Sequence, residues 1–271
     1  MDIQERVGAY WSKRAAETSR FRVEELAGPG RKVWLKFIQE NLPGIDPSDI
    51  KALDCACGSG FYAFLLADLG CEVTGVDYSQ DMVNEALANK EKLHYRNVEF
   101  SQMDAQDMTF ADESFDFIIS RNMTWTVPNP EKVYSEWFRI LKPGGVVINI
   151  DANYGYMFKV ADETGWTDKQ NEKWGKDGNN MIATRPDMVR ERNDITKELY
   201  ISKEDRPGWD LYTMLKTGFS DVEAKTDFYG RLFPEIREMM KAHGDKEKLE
   251  IPDDAPDIRV FCVKGVKAFE Q

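Results

Sequence analysis

The sequence is poor in several residue types that commonly fix a fold or carry chemistry. Of its 271 residues, four are cysteine and two are histidine, too few for a dense disulfide framework or a histidine-rich metal site. No apolar run approaches the roughly 20 residues that span a bilayer, and the N-terminus lacks the apolar segment of a secretory signal. We therefore expect a cytoplasmic protein with reduced thiols, no membrane span and no metal.

The sequence also has fewer basic than acidic residues. The chain has 48 acidic and 36 basic residues, a formal net charge of −12 at pH 7 and a pI of about 4.8. Nucleic-acid affinity depends largely on lysine and arginine side chains that meet phosphates, so this balance disfavours a nucleic-acid substrate. Apolar residues make up 42% of the chain, which is enough for a packed core.

From residue 51 onward, short apolar runs alternate with helical patterns. This alternation predicts a parallel sheet flanked by helices. Ser79 is expected to cap the helix that follows the second strand, and Pro143-Gly144-Gly145 is expected to form a turn before the fifth strand. The predicted strands cover residues 51–56, 72–77, 97–102, 115–120, 146–151, 221–228 and 258–265.

The regular alternation is interrupted twice, and these interruptions suggest the domain organisation. Residues 152–208 carry many charges and aromatics with little strand pattern, which indicates a mostly helical insertion that forms a cap. Residues 1–44 are predicted to form N-terminal helices that cover the ligand site. The predicted units are therefore 1–44, a ligand-binding core at 45–151, the cap at 152–208, and 209–271, which completes the sheet and contains a second insertion at 229–256.

The segment LDCACGSGFYAFLLA, residues 53–67, contains a small-residue turn between the first strand and the first core helix. Gly58 and Gly60 allow a ligand to approach the backbone closely, and the following helix presents unpaired N–H groups. The turn also satisfies the dinucleotide pattern G-x-G-x-x-G/A. By itself it is therefore compatible with a nicotinamide dinucleotide or with S-adenosylmethionine (SAM).

Carboxylates at successive strand ends favour SAM over the dinucleotide. Asp54, near the end of the first strand, suits the ammonium group of a methionine moiety and would repel a pyrophosphate. Asp77 ends the second strand, where it can accept both ribose hydroxyls, a contact that a dinucleotide would share and that therefore does not separate the two ligands. Asp104 follows the third strand, where an acid can bind an adenine amino group. The C-terminal part of the chain also lacks the pattern of a second mononucleotide-binding half.

Five motifs in this order resemble the class I SAM-dependent methyltransferases, and most closely the small-molecule branch with methyltransferase type 11 or 25 domains. They are LDCACGSGFYAFLLA, VTGVDYS, the acidic step at Asp104, FDFIISRN and LKPGGVVINI. The resemblance implies an α/β fold with a Rossmann-like seven-stranded sheet, helices on both faces and an antiparallel last strand. It also implies SAM as cofactor, bound at the C-terminal strand ends.

The resemblance assigns cofactor contacts residue by residue. Gly58 and Gly60 would lie under the methionine portion, and Tyr78 or Met82 would flank the adenine. An N-terminal Tyr-Trp pair folds over SAM in similar proteins. The complete set of expected cofactor-binding residues is Tyr10, Trp11, Asp54, Ala56, Cys57, Gly58, Gly60, Asp77, Tyr78, Met82, Asp104, Ala105 and Ser120.

Four residues are expected to act on the acceptor. Arg121 and Asn122 follow the fourth strand, Trp125 lies in the same loop, and Tyr154 follows the fifth strand. Because the cofactor brings its own leaving group, the protein has to align the acceptor with the methyl group and exclude water. We therefore expect catalysis mainly by proximity, with these side chains shaping a pocket for a small-molecule acceptor.

Other functions remain open at this point. An NAD-dependent oxidoreductase shares the glycine turn, and a non-enzymatic binding protein could keep the fold without its chemistry. Within the methyltransferases, an RNA or protein substrate is the alternative to a small molecule. The sequence also leaves open which acceptor atom (oxygen, nitrogen, sulfur or carbon) receives the methyl group, and whether the chain forms a homodimer.

Overall fold

The computed structural model describes residues 1–28, 30–155, 163, 165, 186–226 and 260–269. Within these residues, seven strands form one sheet in the order β3-β2-β1-β4-β5-β7-β6. The strands are β1 (Lys51–Cys55), β2 (Glu72–Asp77), β3 (Val98–Gln102), β4 (Phe115–Arg121), β5 (Leu141–Ala152), β6 (Ser220–Lys225) and β7 (Val260–Val266).

Strands β1 to β5 pair in parallel, whereas β7 runs antiparallel to both β5 and β6. This confirms the predicted seven-stranded sheet with an antiparallel last strand. The connections from β1 diverge, because β2 lies on one side of it and β4 on the other. A crevice forms at such a switch point, at the carboxyl ends of the strands, and ligands bind there in open α/β sheets.

Some of the described helices begin or end at residues with recognisable capping chemistry. Ser79 Oγ accepts a hydrogen bond from the Met82 N–H at the start of its helix, as predicted. Gly218 ends another helix with φ at 114°, a left-handed conformation that glycine adopts without strain. The helices are α1 (Ile3–Ala27), α2 (Gly30–Gln39), α3 (Phe61–Asp68), α4 (Gln80–Leu93), α5 (Pro130–Ile140), α6 (Pro186–Glu198) and α7 (Gly208–Thr217).

Two apolar clusters cover the two faces of the sheet. Trp34 of α2 and Phe64 of α3 belong to the cluster on one face. Trp137 of α5 and Met214 of α7 belong to the cluster on the other face. Strand residues are buried towards both faces, which is why the central strands read as continuous apolar runs. Helices on both faces were predicted and are confirmed.

The start of β5 differs from the sequence prediction. The strand begins at Leu141, so Pro143-Gly144-Gly145 lies inside the strand and not in a turn. Leu141 pairs with Phe115, and the register then shifts through an irregularity near Phe117. The chain can continue as a strand because Gly144 and Gly145 also exchange backbone hydrogen bonds with Lys267, which follows β7. This contact lies far away along the chain and leaves no local signal.

The two predicted insertions lie wholly or partly outside the residues that the structure describes. The described end of the 152–208 segment contains α6 and a 3₁₀ turn at Tyr200–Lys203, and the cap formed by the whole segment stays a prediction. The second insertion, 229–256, lies outside the described residues. No helix in the described part of the chain is long and apolar enough to cross a membrane.

Candidate cofactor site

A cleft with a cavity volume of about 140 Å³ opens at the carboxyl ends of β1, β2 and β4. The glycine turn after β1 forms its floor, and the residues after β2 and β3 form one end. Helix α1 crosses the opening with Gln4, Val7 and Trp11 facing the cleft. The cleft therefore lies at the switch point of the sheet, where the fold places ligands.

The turn after β1 is built from backbone conformations that few residues adopt. Ala56, Gly58 and Gly60 have φ values of 60°, 52° and 96°. A side chain at Gly60 would place its Cβ 2.8 Å from the ring of Phe64. The turn is held by the Cys57 N–H, which donates to the Val76 carbonyl at 2.9 Å. Gly58 thus leaves the backbone open to the cleft, whereas Gly60 makes room for the ring of Phe64.

Asp54 lies behind this turn and is almost completely buried, with 1% of its surface exposed. Its Oδ2 accepts a hydrogen bond of 2.9 Å from the Ala63 N–H in the first turn of α3. Burial raises the pKa of this carboxyl to about 7, although the Ala63 hydrogen bond and the charge of Arg121 act in the opposite direction. A cationic ligand group would stabilise the ionised form.

Asp77 ends β2 and closes the turn from the other side. Its carboxylate accepts hydrogen bonds of 2.9 Å from the N–H groups of Gly58 and Ser79. Burial raises its pKa to about 6, and these backbone hydrogen bonds limit the rise. Each oxygen keeps lone-pair capacity for a further donor such as a hydroxyl group.

The far end of the cleft lies between an acid and apolar side chains. Asp104 Oδ1 accepts a hydrogen bond of 2.9 Å from the Gln106 N–H. Tyr78, Met82 and Ala105 line the same region. The ring of Tyr78 packs against α1 at Gly8, where an added Cβ would lie 2.7 Å from the ring. An acid beside apolar surfaces suits a planar base with an amino group.

Twelve of the predicted residues line the cleft, and five do not. Gly60 lies within the turn, and Ser120 is fully buried in the sheet. Tyr10 points away from the cleft into a separate apolar cluster with Met188 of α6. Trp125 and Tyr154 pack against each other beside the cleft, as described below. The predicted residues that line the cleft are Trp11, Asp54, Ala56, Cys57, Gly58, Asp77, Tyr78, Met82, Asp104, Ala105, Arg121 and Asn122.

Two of the predicted acceptor residues, Trp125 and Tyr154, form an aromatic wall next to the cleft together with Trp11. The structure does not place Arg121 in this wall, because its guanidinium packs on the rings of Phe61 and Tyr62. The rings of Trp125 and Tyr154 lie 4.6 Å apart, and Trp11 meets Trp125 edge-on at 6.4 Å. Tyr154 Oη lies 3.0 Å from Asn122 Oδ1 and donates to it. Trp125 Nε1 donates to the Asn122 carbonyl at 3.0 Å. Asn122 itself has φ at 58°, a conformation in which these contacts hold it.

Sequence reasoning missed most of the contribution of α1. Gln4, Val7, Gly8, Thr18 and Arg22 line the cleft from this helix. The signal that could have revealed them is their spacing, since steps of three, four and seven residues place side chains on one helical face. The start of α3 was also missed, where Phe61 and Tyr62 line the cleft beside Arg121.

The geometry defines a nucleoside-binding α/β protein, and the comparisons with known proteins identify its family. A family model described as a methyltransferase domain matches residues 46–205. Demethylmenaquinone methyltransferase of Staphylococcus aureus (strain MRSA252) is 34% identical over 125 residues, which are 45% of this chain and 50% of that protein. The chain thus spans about half the length of the curated relatives it matches.

Solved structures agree on the fold. Haemonchus contortus phosphoethanolamine N-methyltransferase 2, in complex with SAM, has a TM-score of 0.54 at 21% identity, over 84% of this chain and 50% of that one. The [4+2]-cyclase SpnF has a TM-score of 0.53 at 17% identity, over 88% and 80%. At these identities the likeness concerns the fold only.

The chain belongs to the methyltransferase-domain family, with the class I fold of that family and SAM as its cofactor. The cleft fits this molecule. Asp54 and Asp77 are buried carboxylates whose raised pKa values a cation or hydroxyl donors would lower again. Ser59 Oγ lines the cleft and is buried without a hydrogen-bond partner among the described residues, and the glycine turn leaves the backbone accessible.

Proposed function

We propose that this protein transfers a methyl group from SAM to a small-molecule acceptor. The observation that carries the proposal is the arrangement of acids at three successive strand ends around an open glycine turn, next to an aromatic wall. Asp54, Asp77 and Asp104 match the ammonium, ribose and adenine groups of an adenosyl amino acid in that order. The aromatic wall lies beyond the end of β4, where an acceptor would reach the methyl group.

The proposed division of labour follows from the contacts. Asp77 would accept both ribose hydroxyls, and Asp104 would accept from the adenine amino group. SAM supplies an activated methyl group with its own leaving group, so a general base is optional. Trp11, Trp125 and Tyr154 would exclude water and hold the acceptor in line, a positioning effect that can lower a barrier by several kcal/mol.

The aromatic wall favours a flat acceptor. Rings stack or pack edge-on against aromatic faces at the centroid distances that Trp11, Trp125 and Tyr154 show among themselves. The Asn122 amide adds a polar group that can orient a hydroxyl or amine on such a ring. One curated relative is named a demethylmenaquinone methyltransferase, so a ring-bearing acceptor is a sensible first class to test.

The proposal can be tested by incubating the protein with methyl-labelled SAM and separate pools of acceptors. The pools are phenols and quinols, amines, thiols, bulk RNA and bulk protein. We expect label in a small-molecule pool. Label only in RNA or protein, or no transfer to any pool by a protein that binds S-adenosylhomocysteine, would contradict the proposal.

Once an acceptor is found, Tyr154→Phe tests the aromatic wall. The change removes the hydroxyl that donates to Asn122 and keeps the ring. We expect kcat/KM for the acceptor to fall about tenfold, which corresponds to the loss of one hydrogen bond of about 1 kcal/mol or slightly more, with unchanged S-adenosylhomocysteine affinity. Tyr212→Phe is the matched control, because Tyr212 is 66% exposed on α7 and should leave both values unchanged.

A further inference from the structure

Gln106, which follows β3, bonds to three separate parts of the site. Its backbone N–H donates to Asp104 Oδ1 at 2.9 Å, and its side-chain Nε2 donates to the same oxygen at 3.1 Å. Nε2 also donates to Gln4 Oε1 of α1 at 3.2 Å. Its Oε1 accepts from the Asn129 N–H at 2.9 Å. The side chain of Gln106 thus joins the proposed adenine region to α1 and to the loop after β4.

The loop that Gln106 reaches carries the aromatic wall. It ends at Asn129, which caps α5, and Trp125 lies within it. Before this end, the loop is fixed to the sheet, because the Thr124 hydroxyl and the Trp125 N–H both donate to the buried carboxylate of Asp151. At the end itself, the Asn129 N–H donates to Gln106. Trp125 is therefore held between one anchor in the sheet and one anchor beside the cleft.

The two ends of the Gln106 side chain cannot move independently, because a carboxamide is a planar group with one acceptor oxygen and one NH₂ group that has two donors. Nε2 has three acceptor atoms within 3.3 Å, namely both carboxylate oxygens of Asp104 and Oε1 of Gln4. The two donors are therefore shared among three acceptors. Any rotation of the amide that changes this sharing also moves Oε1, the acceptor of the Asn129 N–H.

The amino group of an adenine at Asp104 would change this sharing. Gln106 touches two residues that line the cleft, Asp104 and Gln4. The longest of the Nε2 contacts, at 3.3 Å, is the one with Asp104 Oδ2, so this oxygen is the one most open to a new donor. With Oδ2 occupied by a ligand, each Nε2 hydrogen of Gln106 would have one acceptor. The amide would then have a single orientation, and Oε1 a fixed position.

We propose that Gln106 is a positioning residue that couples the cofactor to the acceptor site. An occupied adenine region fixes the Gln106 amide, and the fixed amide orders the loop that carries Trp125. The inference rests on the proposed function, because it takes Asp104 as the acceptor of the adenine amino group and Trp125 as part of the acceptor pocket. The acceptor pocket is complete only after the cofactor has bound. Because such coupling is reciprocal, a bound acceptor in turn tightens the cofactor.

Amide hydrogen exchange of the peptide that covers residues 122–129, with and without saturating S-adenosylhomocysteine, tests this coupling. In the wild-type protein we expect the ligand to slow exchange of the peptide about fivefold or more, the factor expected when one hydrogen bond becomes persistent. Binding of the ligand without slower exchange would overturn the coupling and leave the proposed function standing. Absence of binding by calorimetry would overturn the proposed function as well.

Gln106→Glu separates the two ends of the side chain. Its carboxylate can still accept from the Asn129 N–H, but it has no donor for Asp104 or Gln4. We expect exchange of the 122–129 peptide in the free variant to stay within about twofold of wild type, and the ligand to slow it by less than about twofold. Gln80→Glu is the matched control, because Gln80 is exposed at the start of α4 and the change adds the same charge. This control should keep the wild-type slowing.

Gln106→Leu removes the acceptor and the donor together and provides a second measurement. We expect faster exchange of the 122–129 peptide in the free protein, and less than about twofold slowing by the ligand. Slowing of the wild-type size in either Gln106 variant would overturn the assignment. That result includes a variant whose exchange rises by the same factor with and without ligand, which is what a purely structural contact would give.

Discussion

Individual buried carboxylates set the chemistry of this cleft. Asp54 and Asp77 occupy positions where burial alone would keep a carboxyl protonated, and their pKa values are raised to about 7 and about 6. Hydrogen bonds from backbone N–H groups lower these pKa values again, but they offset only part of the rise that burial causes. The residues are thus poised to gain from ligand groups that favour their ionised forms.

Asp54 should make the stability of the free protein depend on pH. In the unfolded chain this carboxyl ionises near pH 4, whereas the folded chain keeps it protonated up to about pH 7. The folded state binds the extra proton, so its stability falls as pH rises between about 4 and 7. Asp54→Asn should lack this contribution, so its stability relative to wild type should rise over that range.

Urea unfolding of both proteins at intervals from pH 4.5 to 8 measures this difference. The variant keeps an acceptor oxygen for the Ala63 N–H, so local structure should persist. A wild-type minus variant difference that is flat across the range would show that Asp54 titrates normally.

Asp77 should be central to cofactor affinity. Asp77→Ala removes the acceptor proposed for two ribose hydroxyls, and we expect S-adenosylhomocysteine binding to weaken about tenfold or more, equivalent to about 1.4 kcal/mol or more. Calorimetry measures the affinity. Asp81→Ala, an exposed acid in the first turn of α4, serves as control, and an equal effect of the two changes would exclude a specific role for Asp77.

Among the elements, α1 does most to convert an open crevice into a covered site. Its 25 residues contact α3, α4 and α6, and one face lies over the cleft. The close approach depends on Gly8, whose missing side chain leaves space for the ring of Tyr78. The position of the helix and the shape of the proposed adenine site are therefore coupled at a single contact.

Gly8→Ala tests this coupling. The added methyl group would lie 2.7 Å from Tyr78 Cε1, so either the ring or the helix has to shift. Overpacking of this kind costs about 1–3 kcal/mol, and we expect cofactor affinity to fall roughly fivefold or more by calorimetry. Gly44→Ala is the control, because its methyl group would meet nothing within 4 Å. Unchanged affinity in Gly8→Ala would mean that the adenine site tolerates the shift.

At the scale of the whole molecule, one buried ion network joins segments that are distant in sequence. Arg206, just before α7, donates to Asp151 at the end of β5, to Asp210 of α7 and to Thr124 after β4. Asp151 also accepts from the Trp125 N–H at 3.0 Å. The network thereby fixes the loop that carries the aromatic wall.

Removing the cation of this network should be strongly destabilising. Arg206→Met leaves two buried carboxylates without their partner, which costs about 3–5 kcal/mol in comparable pairs. Arg31→Met breaks a pair with Asp68 at 2.5 Å whose arginine is 38% exposed, and exposed pairs contribute about 0–1 kcal/mol. Urea unfolding compares the two variants. If both variants lost a similar amount of unfolding free energy, burial would not explain the contribution of Arg206.

Much of this architecture was predictable because its signals are local. The Ser79 cap, the strand at residues 72–77 and the glycine turn follow from side-chain chemistry within a few residues, and all three are present. The start of β5 was not predictable, because it depends on two contacts that are distant in sequence. Leu141 pairs with Phe115 of β4, and the backbone of the following glycines bonds to the chain after β7. Local turn propensity at Pro143-Gly144-Gly145 was overridden by pairing.

The sequence by itself determined the order of strands and helices, the sharp turn after β1 and the acids at the strand ends. Hydrophobic period, capping residues and glycine conformations act over short distances, so they can be recognised in the chain. Only the tertiary structure decided which face of α1 covers the cleft and that Gln106 meets Gln4 and Asn129. Gln4 and Gln106 are 102 residues apart, and packing alone brings them together.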